Sequence, residues 1–312
     1  MNKSTKAIDI LIIGSGPSGL TAGIYASRLK LSTLILEDEI IGGQIRDAYT
    51  IQNYPGFINI SGIDLIKNMQ QQAVASGCTI DEFDKILSVK LTNNEKIIET
   101  ESYIYDARTV IIASGAKRKQ LPIPEENTFH GKGIHYCELC DGHMYQGKHI
   151  AVIGGGNSAL LAVKFLSIYA EKITIIQQFD YFQAEKKIQE ETFNNPKVNI
   201  IWNSEVRHAM GDDELSKIVI ENIQTKTTNE LPVDGLFVYI GFIPSTKLYK
   251  DYITLDEFGN ILADETTKTN VEGVFAAGDV RSKLFRQITT ATADGTVAAL
   301  MAEKFINEIN KE

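Results

Sequence analysis

The stretch Ile8-Asp9-Ile10-Leu11-Ile12-Ile13-Gly14-Ser15-Gly16-Pro17-Ser18-Gly19 decides the fold. Residues 8–13 are apolar and rich in β-branched side chains, broken only by Asp9, and read as a buried parallel strand. A helical run follows the glycines over 20–30, then a second strand over 33–36 that ends at Glu37. In such a unit one glycine makes a tight turn. Another lets the backbone approach a pyrophosphate, and a third allows close helix packing. The helix N-terminus stabilises phosphate, and Glu37, 18 residues past Gly19, can accept hydrogen bonds from ribose hydroxyls. Context and acid spacing together predict a dinucleotide site rather than a structural turn.

The unit recurs. Residues 149–153 form a strand, Gly154-Gly155-Gly156-Asn157-Ser158-Ala159 a loop, 160–169 a helix and 172–176 a strand. Two such units imply an α/β protein with two three-layer, Rossmann-like dinucleotide-binding domains. Apolar strands over 109–113 and 236–240 run into Ser114-Gly115 and Gly241-Phe242-Ile243-Pro244, and both read as crossings between domains. A strand into Gly278-Asp279 offers an acid for a second sugar or ribityl hydroxyl, and 291–309 reads as a long closing helix.

Composition bounds the rest. The chain has 312 residues, 43% hydrophobic and 23% charged, an ordinary globular balance with length for about two domains. Its 31 basic and 40 acidic residues give a net charge of −9, which argues against broad nucleic-acid binding. The apolar run near the N-terminus is too short for a signal peptide, and no stretch predicts a membrane span. A soluble, cytoplasmic protein in a reducing compartment is expected.

The three cysteines are too few for a disulfide framework or an all-cysteine zinc site. Cys137 and Cys140 have the spacing of a dithiol/disulfide couple, whose thiol pKa a helix N-terminus would lower. Asp141 follows and could move a proton to or from a departing thiolate. A Cys-His metal site with His135 or His143 is the alternative; a metal needs more ligands, and none is expected. Cys78 reads as a buried structural thiol and Trp202 as packing. The five histidines read as structural or surface residues, His143 being the one candidate local proton donor.

These residues resemble the low-molecular-weight thioredoxin reductases, FAD-dependent disulfide reductases. The resemblance is carried by Gly14–Gly19, Gly42-Gly43-Gln44, Asn53-Tyr54-Pro55-Gly56, Cys137-Glu138-Leu139-Cys140-Asp141-Gly142, the second glycine loop, Gly278-Asp279 and Arg286-Gln287. It covers essentially the whole chain. It implies a discontinuous FAD domain (1–117 and 246–312) and an inserted domain (118–245) that carries the cysteine pair and rotates to serve both flavin and partner. It also implies that Gly14, Gly16, Pro17, Ser18 and Gly19 lie along the FAD pyrophosphate and that Glu37 holds the adenosine ribose. Gly43, Gln44, Asn53 and Gly115 would surround the flavin, and Gly278 and Asp279 would face its ribityl or pyrophosphate side. Arg286, Gln287 and Ile288 would lie along the isoalloxazine. Cys140 would face the flavin and Cys137 would attack thioredoxin through a mixed disulfide. A homodimer is expected.

The second nucleotide site departs from that pattern. Members that use NADPH have a His-Arg-Arg run after the second strand and a further arginine four residues on. The matching residues here are Gln177, Gln178, Phe179 and Gln183. A 2′-phosphate needs charge-assisted partners, and none of the four is cationic. Leu161 and Ala162 stand where the family usually has two glutamates, and Asn157 replaces a common loop acid. The chain therefore resembles the ferredoxin-dependent flavin thioredoxin reductases, with ferredoxin as donor. Candidate docking cations are Lys117-Arg118-Lys119 and Arg281, Lys283 and Arg286. An NADPH-dependent reductase with an atypical site and a small-molecule dithiol oxidase are the alternatives.

Overall fold

The computed structural model describes residues 3–48, 51 and 53–311, apart from the side chains of Asp47, Leu139 and Cys140. It divides into two compact units, residues 1–117 with 242–312 and residues 118–241. The sequence places the return crossing at 245–246. It falls earlier because Phe242–Pro244 forms a short strand with Ala116–Arg118 at the crossing.

In unit one, β1 (Ser4–Ile13) leads through the first glycine loop into α1 (Pro17–Arg28) and β2 (Thr33–Glu37). Then come α2 (Gly62–Ala75), β3 (Thr79–Glu82), β4 (Ile86–Leu91), β5 (Lys96–Thr100), β6 (Tyr103–Ile112) and β7 (Ala116–Arg118). The main sheet runs β3-β2-β1-β6-β5-β4, with β1, β2, β3 and β6 parallel and β4 and β5 antiparallel. Strand alternation sorts the core onto two faces. Ile10, Ile12, Ile35 and Ile111 pack with the helices, while Leu11, Ile13, Leu34, Val110 and Ile112 pack with β4 and Tyr249.

Unit two begins with the short helix α3 (Glu126–Phe129), β8 (Ile134–His135) and the single turn α4 (Glu138–Asp141). Next are β9 (His149–Ile153), α5 (Asn157–Leu166), β10 (Lys172–Ile176), α6 (Lys186–Phe193) and β11 (Val198–Ile201). An antiparallel layer of β12 (Ser204–Gly211), β13 (Leu215–Asn222) and β14 (Thr228–Pro232) precedes β15 (Gly235–Val238). The central sheet is parallel, ordered β11-β10-β9-β15-β8. Ile150, Val152, Ile173 and Phe237 pack on the α5 side. Ala151, Ile153, Leu236 and Val238 pack against Val206, Ile218 and Ile220 of the second sheet. This is helix, parallel sheet and antiparallel sheet in three layers.

The chain returns through β16 (Phe242–Pro244), adds β17 (Val274–Ala276) beside β6, and ends in α7 (Ile288–Ile309). That helix starts before the expected residue 291. A capping box between Gln287 and Thr290 satisfies its first backbone donors. Among the described residues no helix is long and apolar enough to cross a membrane.

Candidate active site

In unit one the first loop is closed by contacts that need bare backbone. Gly14 sits at φ +103°, and a Cβ there would strike the Ala113 carbonyl. A Cβ on Gly19 would strike the Gly14 carbonyl, so loop and helix α1 meet with no room for a side chain. Gly16 caps α1 and Pro17 opens it with the fixed φ a first turn accepts. Glu37, at the end of β2, accepts from the Ser15 amide at 2.9 Å and the Ser15 hydroxyl at 2.6 Å. The Ser15 hydroxyl in turn accepts from the Gly42 amide at 3.2 Å. Loop, acid and the Gly42-Gly43 turn are thus one hydrogen-bonded unit, with Gly43 against Gly16. Ser15 lay hidden among the glycines; its signal was a hydroxyl inside a phosphate-type loop.

The return segment converges on the same place. The Ser18 hydroxyl donates to the Ala277 carbonyl at 3.3 Å, and Gly278 lies against Ser18. Asn53 Nδ2 donates to Gln287 Oε1 at 3.1 Å, and Gln44 Nε2 to the Ala116 carbonyl at 2.9 Å. Gly115, at φ +62°, accepts from the Ser245 amide at 3.0 Å. Ile288 opens α7 directly after Gln287. Arg286 is exposed and donates to Asn260 Oδ1 at 3.0 Å.

Asp279 departs from this saturation. Its Oδ1 is buried with no hydrogen-bond partner. Burial raises its pKa above the usual carboxylate range, against the opposing pull of Lys283 and Arg286. A buried acceptor left open beside a glycine loop fits a ligand with hydroxyl donors, as FAD is.

Two sequence expectations fail here. Arg281 and Lys283 are not free docking cations. Asp294 of α7 holds them at 2.9 and 2.7 Å, and each side chain is only 11% exposed. Asp294 also accepts from the Gly278 amide at 3.0 Å. Sequence reading missed it, although an acid inside an apolar helical run was a signal.

In unit two Cys137 is disulfide-bonded, while Cys78, in unit one, is a buried free thiol. The side chain of Cys140 lies outside the described residues. The turn after Cys137 is brief: α4 spans four residues and passes into a 3-10 turn over Gly142–Tyr145. It is too short for the helix-terminus effect expected at the thiols. The Asp141 amide donates to the Cys137 carbonyl at 3.1 Å. The Asp141 carboxylate pairs with His135 Nδ1 at 3.1 Å, and Tyr145 Oη lies 2.7 Å from His135 Nε2. The histidine at the pair is thus the buried His135, not the exposed His143. Glu138, between the cysteines, accepts from the hydroxyl of Tyr239 just past β15. Burial and that carboxylate push the Tyr239 phenol far above its ordinary range.

The second glycine loop is capped by its own chain. The Gln183 amide donates to the Gly155 carbonyl at 2.8 Å, and the Glu185 amide to Asn157 Oδ1 at 2.8 Å. Gln177 is buried, donating to the Tyr181 carbonyl at 3.0 Å, and a Cβ on Gly155 would strike it. Gln178 and Gln183 are exposed and neutral, Leu161 is exposed and Ala162 buried. Trp202 packs against Phe182 with ring centroids 4.6 Å apart.

Residues 8–295 match the family described as pyridine nucleotide-disulphide oxidoreductase. The "34.2 kDa protein in rubredoxin operon" of Clostridium pasteurianum is 58% identical over 97% of this chain and 99% of its own. The structure of Lactococcus lactis thioredoxin reductase in its FR conformation is 37% identical, with a TM-score of 0.83, over 96% of this chain and 99% of that one. A ferredoxin-flavin thioredoxin reductase from Clostridium acetobutylicum is 27% identical, with a TM-score of 0.53, over 99% of this chain and 100% of that one. The chain belongs to the pyridine nucleotide-disulphide oxidoreductase family. It is a flavin disulfide oxidoreductase of the thioredoxin reductase type, and its cofactor is FAD.

Proposed function

We propose that this enzyme is a thioredoxin-disulfide reductase whose electron donor is reduced ferredoxin rather than NADPH. Electrons pass from FAD to the Cys137–Cys140 disulfide and on to thioredoxin. The observation that carries the donor assignment is the second glycine loop. It lacks cations at Gln177, Gln178, Phe179 and Gln183, and the Gln183–Glu185 segment is hydrogen-bonded onto it. A 2′-phosphate near two negative charges would meet neutral amides and the Glu185 carboxylate. Similarity to the ferredoxin-flavin enzyme of C. acetobutylicum supports the same reading.

The residues of unit one would hold FAD as follows. The Gly14–Gly19 backbone and the start of α1 receive the pyrophosphate, Glu37 accepts from the adenosine ribose, and Asp279 accepts from the ribityl side. Gly43, Gln44, Asn53, Gly115 and the Arg286–Ile288 segment border the ring. FAD, when bound, supplies a centre that takes electrons singly and passes them on in pairs. Cys137 attacks the thioredoxin disulfide, Cys140 resolves the mixed disulfide, and Asp141 carries a proton between sulfurs. Of the candidate docking cations for an acidic ferredoxin, the exposed ones are Lys117 and Arg286 on unit one and Arg118 and Lys119 at the start of unit two. Lys117 already pairs with Glu39 at 2.9 Å in an exposed, weak ion pair.

The test is anaerobic reconstitution with reduced ferredoxin, this protein and oxidised thioredoxin, counting thiols formed. Thiols should appear with ferredoxin and not with NADPH. Prompt loss of the flavin's visible absorbance on mixing with NADPH alone would sink the ferredoxin assignment.

A further inference from the structure

His135 entered the sequence reading as a structural histidine and as one ligand of the alternative metal site, yet in the structure both its ring nitrogens are engaged beside the cysteine pair. It lies on β8, in register with Phe237 of β15. Its side chain is 2% exposed, whereas that of Asp141 is 30% exposed. The imidazole is caged by two rings. Phe237 stacks at 5.3 Å between centroids, and Tyr145 meets it edge-on at 5.5 Å. Tyr145 and Phe237 also contact each other at 5.4 Å. Both ring nitrogens are used, one on Asp141 at 3.1 Å and one on Tyr145 at 2.7 Å. Rotating the ring half a turn would place carbon at both partners, so cage and hydrogen bonds select one orientation.

The tautomer follows from the partners. Burial, with Asp141, Glu214 and Asp234 near, holds the Tyr145 phenol protonated well above its ordinary range. Lys148 lies 5.4 Å from the Tyr145 ring centroid. The Asp141 carboxylate can only accept, so the imidazole proton sits on Nδ1 and donates to it, and in the neutral ring Nε2 accepts from the Tyr145 hydroxyl. A partly exposed carboxylate is anchored from behind by a fixed donor instead of turning freely into water.

We propose that His135 is the positioning residue for Asp141, holding that carboxylate in place for proton transfer at the cysteine pair, with Tyr145 as its rear anchor. The proposal rests on the reading of Cys137 and Cys140 as the exchanging pair. In the exchange the Cys137 sulfur bonds to one sulfur of a partner disulfide while the partner S–S bond breaks. The departing sulfur takes a proton. The Cys140 sulfur then attacks Cys137, releasing the second partner sulfur, which is protonated in turn. Two electrons and two protons leave the enzyme dithiol and arrive on the partner. Asp141 takes a proton from Cys140 and delivers it to a departing sulfur.

That role has a signature which packing alone lacks, because a low-pKa leaving thiolate departs without a proton. FAD-loaded enzyme, reduced with dithiothreitol and desalted, is mixed in single turnover with two probes. These are hydroxyethyl disulfide, whose alkyl leaving group needs a proton, and an aromatic disulfide, dithiobis(nitrobenzoate), whose leaving group does not. His135→Leu should lower the alkyl-to-aromatic rate ratio about tenfold, a part of what proton transfer can contribute. His135→Gln, whose amide reaches Tyr145 but not Asp141, should behave like His135→Leu. His135→Asn, whose amide nitrogen falls where Nδ1 was, should restore the ratio. Equal ratios in the Asn and Gln variants, or equal loss on both probes, would overturn the proposal. Cys137→Ser should lose reaction with both probes; if it does not, the reading of the pair itself has failed.

Discussion

Asn157 and Glu185 are joined reciprocally. The Glu185 amide donates to Asn157 Oδ1 at 2.8 Å, and Asn157 Nδ2 donates to Glu185 Oε1 at 3.3 Å. This exposed clasp brings a carboxylate to the start of α5, where a nucleotide phosphate would have to approach. Binding of adenosine 2′,5′-bisphosphate, followed by calorimetry, should be weak in the native protein. Gln178→Arg with Gln183→Arg should tighten it, since each charge-assisted bond contributes about 1.5–3 kcal/mol before screening. An affinity already equal to that of the double variant would show that the site recognises the phosphate by other groups.

Asp279 yields a paired outcome with opposite signs. Its folded-state pKa is raised by burial, so the folded apoprotein binds the proton more tightly than the unfolded chain does. The resulting loss of stability develops as pH rises above the unfolded carboxylate value of about 3.8 and levels off once pH has passed the raised folded value. Asp279→Asn should therefore raise the melting temperature of the apoprotein. The same change should weaken FAD retention, by roughly tenfold or more for one hydrogen bond to a charged acceptor. Scanning calorimetry on apoprotein and flavin dialysis on holoprotein separate the two, and a stabilised holoprotein with unchanged FAD affinity would remove Asp279 from the flavin site.

Cys78 should be close to inert. Its thiol packs where a Cβ on Gly23 would collide, and burial pushes its pKa to about 11. Against an ordinary thiol value of 9.0 the thiolate fraction at neutral pH is about a hundredfold smaller. In a protein with Cys137 and Cys140 both changed to Ser, iodoacetamide should label Cys78 slowly, and faster as pH rises. Labelling at the rate of a free thiol at neutral pH would contradict that burial.

His149 predicts an acid weakness in unit two. Burial and the nearby Lys172 lower its pKa, while Nε2 lies 2.9 Å from the hydroxyl of the fully buried Thr174. The unfolded state then binds more protons, so stability rises with pH and levels off above the ordinary value of about 6.5. Thermal unfolding should become easier as pH falls below that value, and His149→Gln should flatten the dependence. An unchanged slope in the variant would assign the effect to other groups.

Local pattern made much of this legible. The strands at Ile12, Ile35 and Ile153, the loops at Gly14 and Gly154, and the acid at Glu37 are encoded within short stretches whose period and punctuation carry their meaning. What escaped was contact between residues distant in sequence. Arg281 and Lys283 looked like surface charges until Asp294 was found beside both. His135 looked structural because nothing in its neighbourhood of sequence says that β8 places it against Asp141 and Phe237. The start of α7 was read late because its cap is a glutamine, not one of the usual short polar residues.

The order of elements also sets an order of assembly on the ribosome. Residues 118–241 form a compact unit that is complete when Gly241 has been made. Unit one cannot close then, because β17 must still join β6 and α7 must still cover α1, where Gly295 seats against the Ser18 backbone. Synthesis proceeds from the N-terminus, so the unit begun second should finish folding first. The flavin loop, translated before unit two, stays unroofed until α7 emerges. Truncation within α7 should therefore spare the redox unit and cost the protein its flavin.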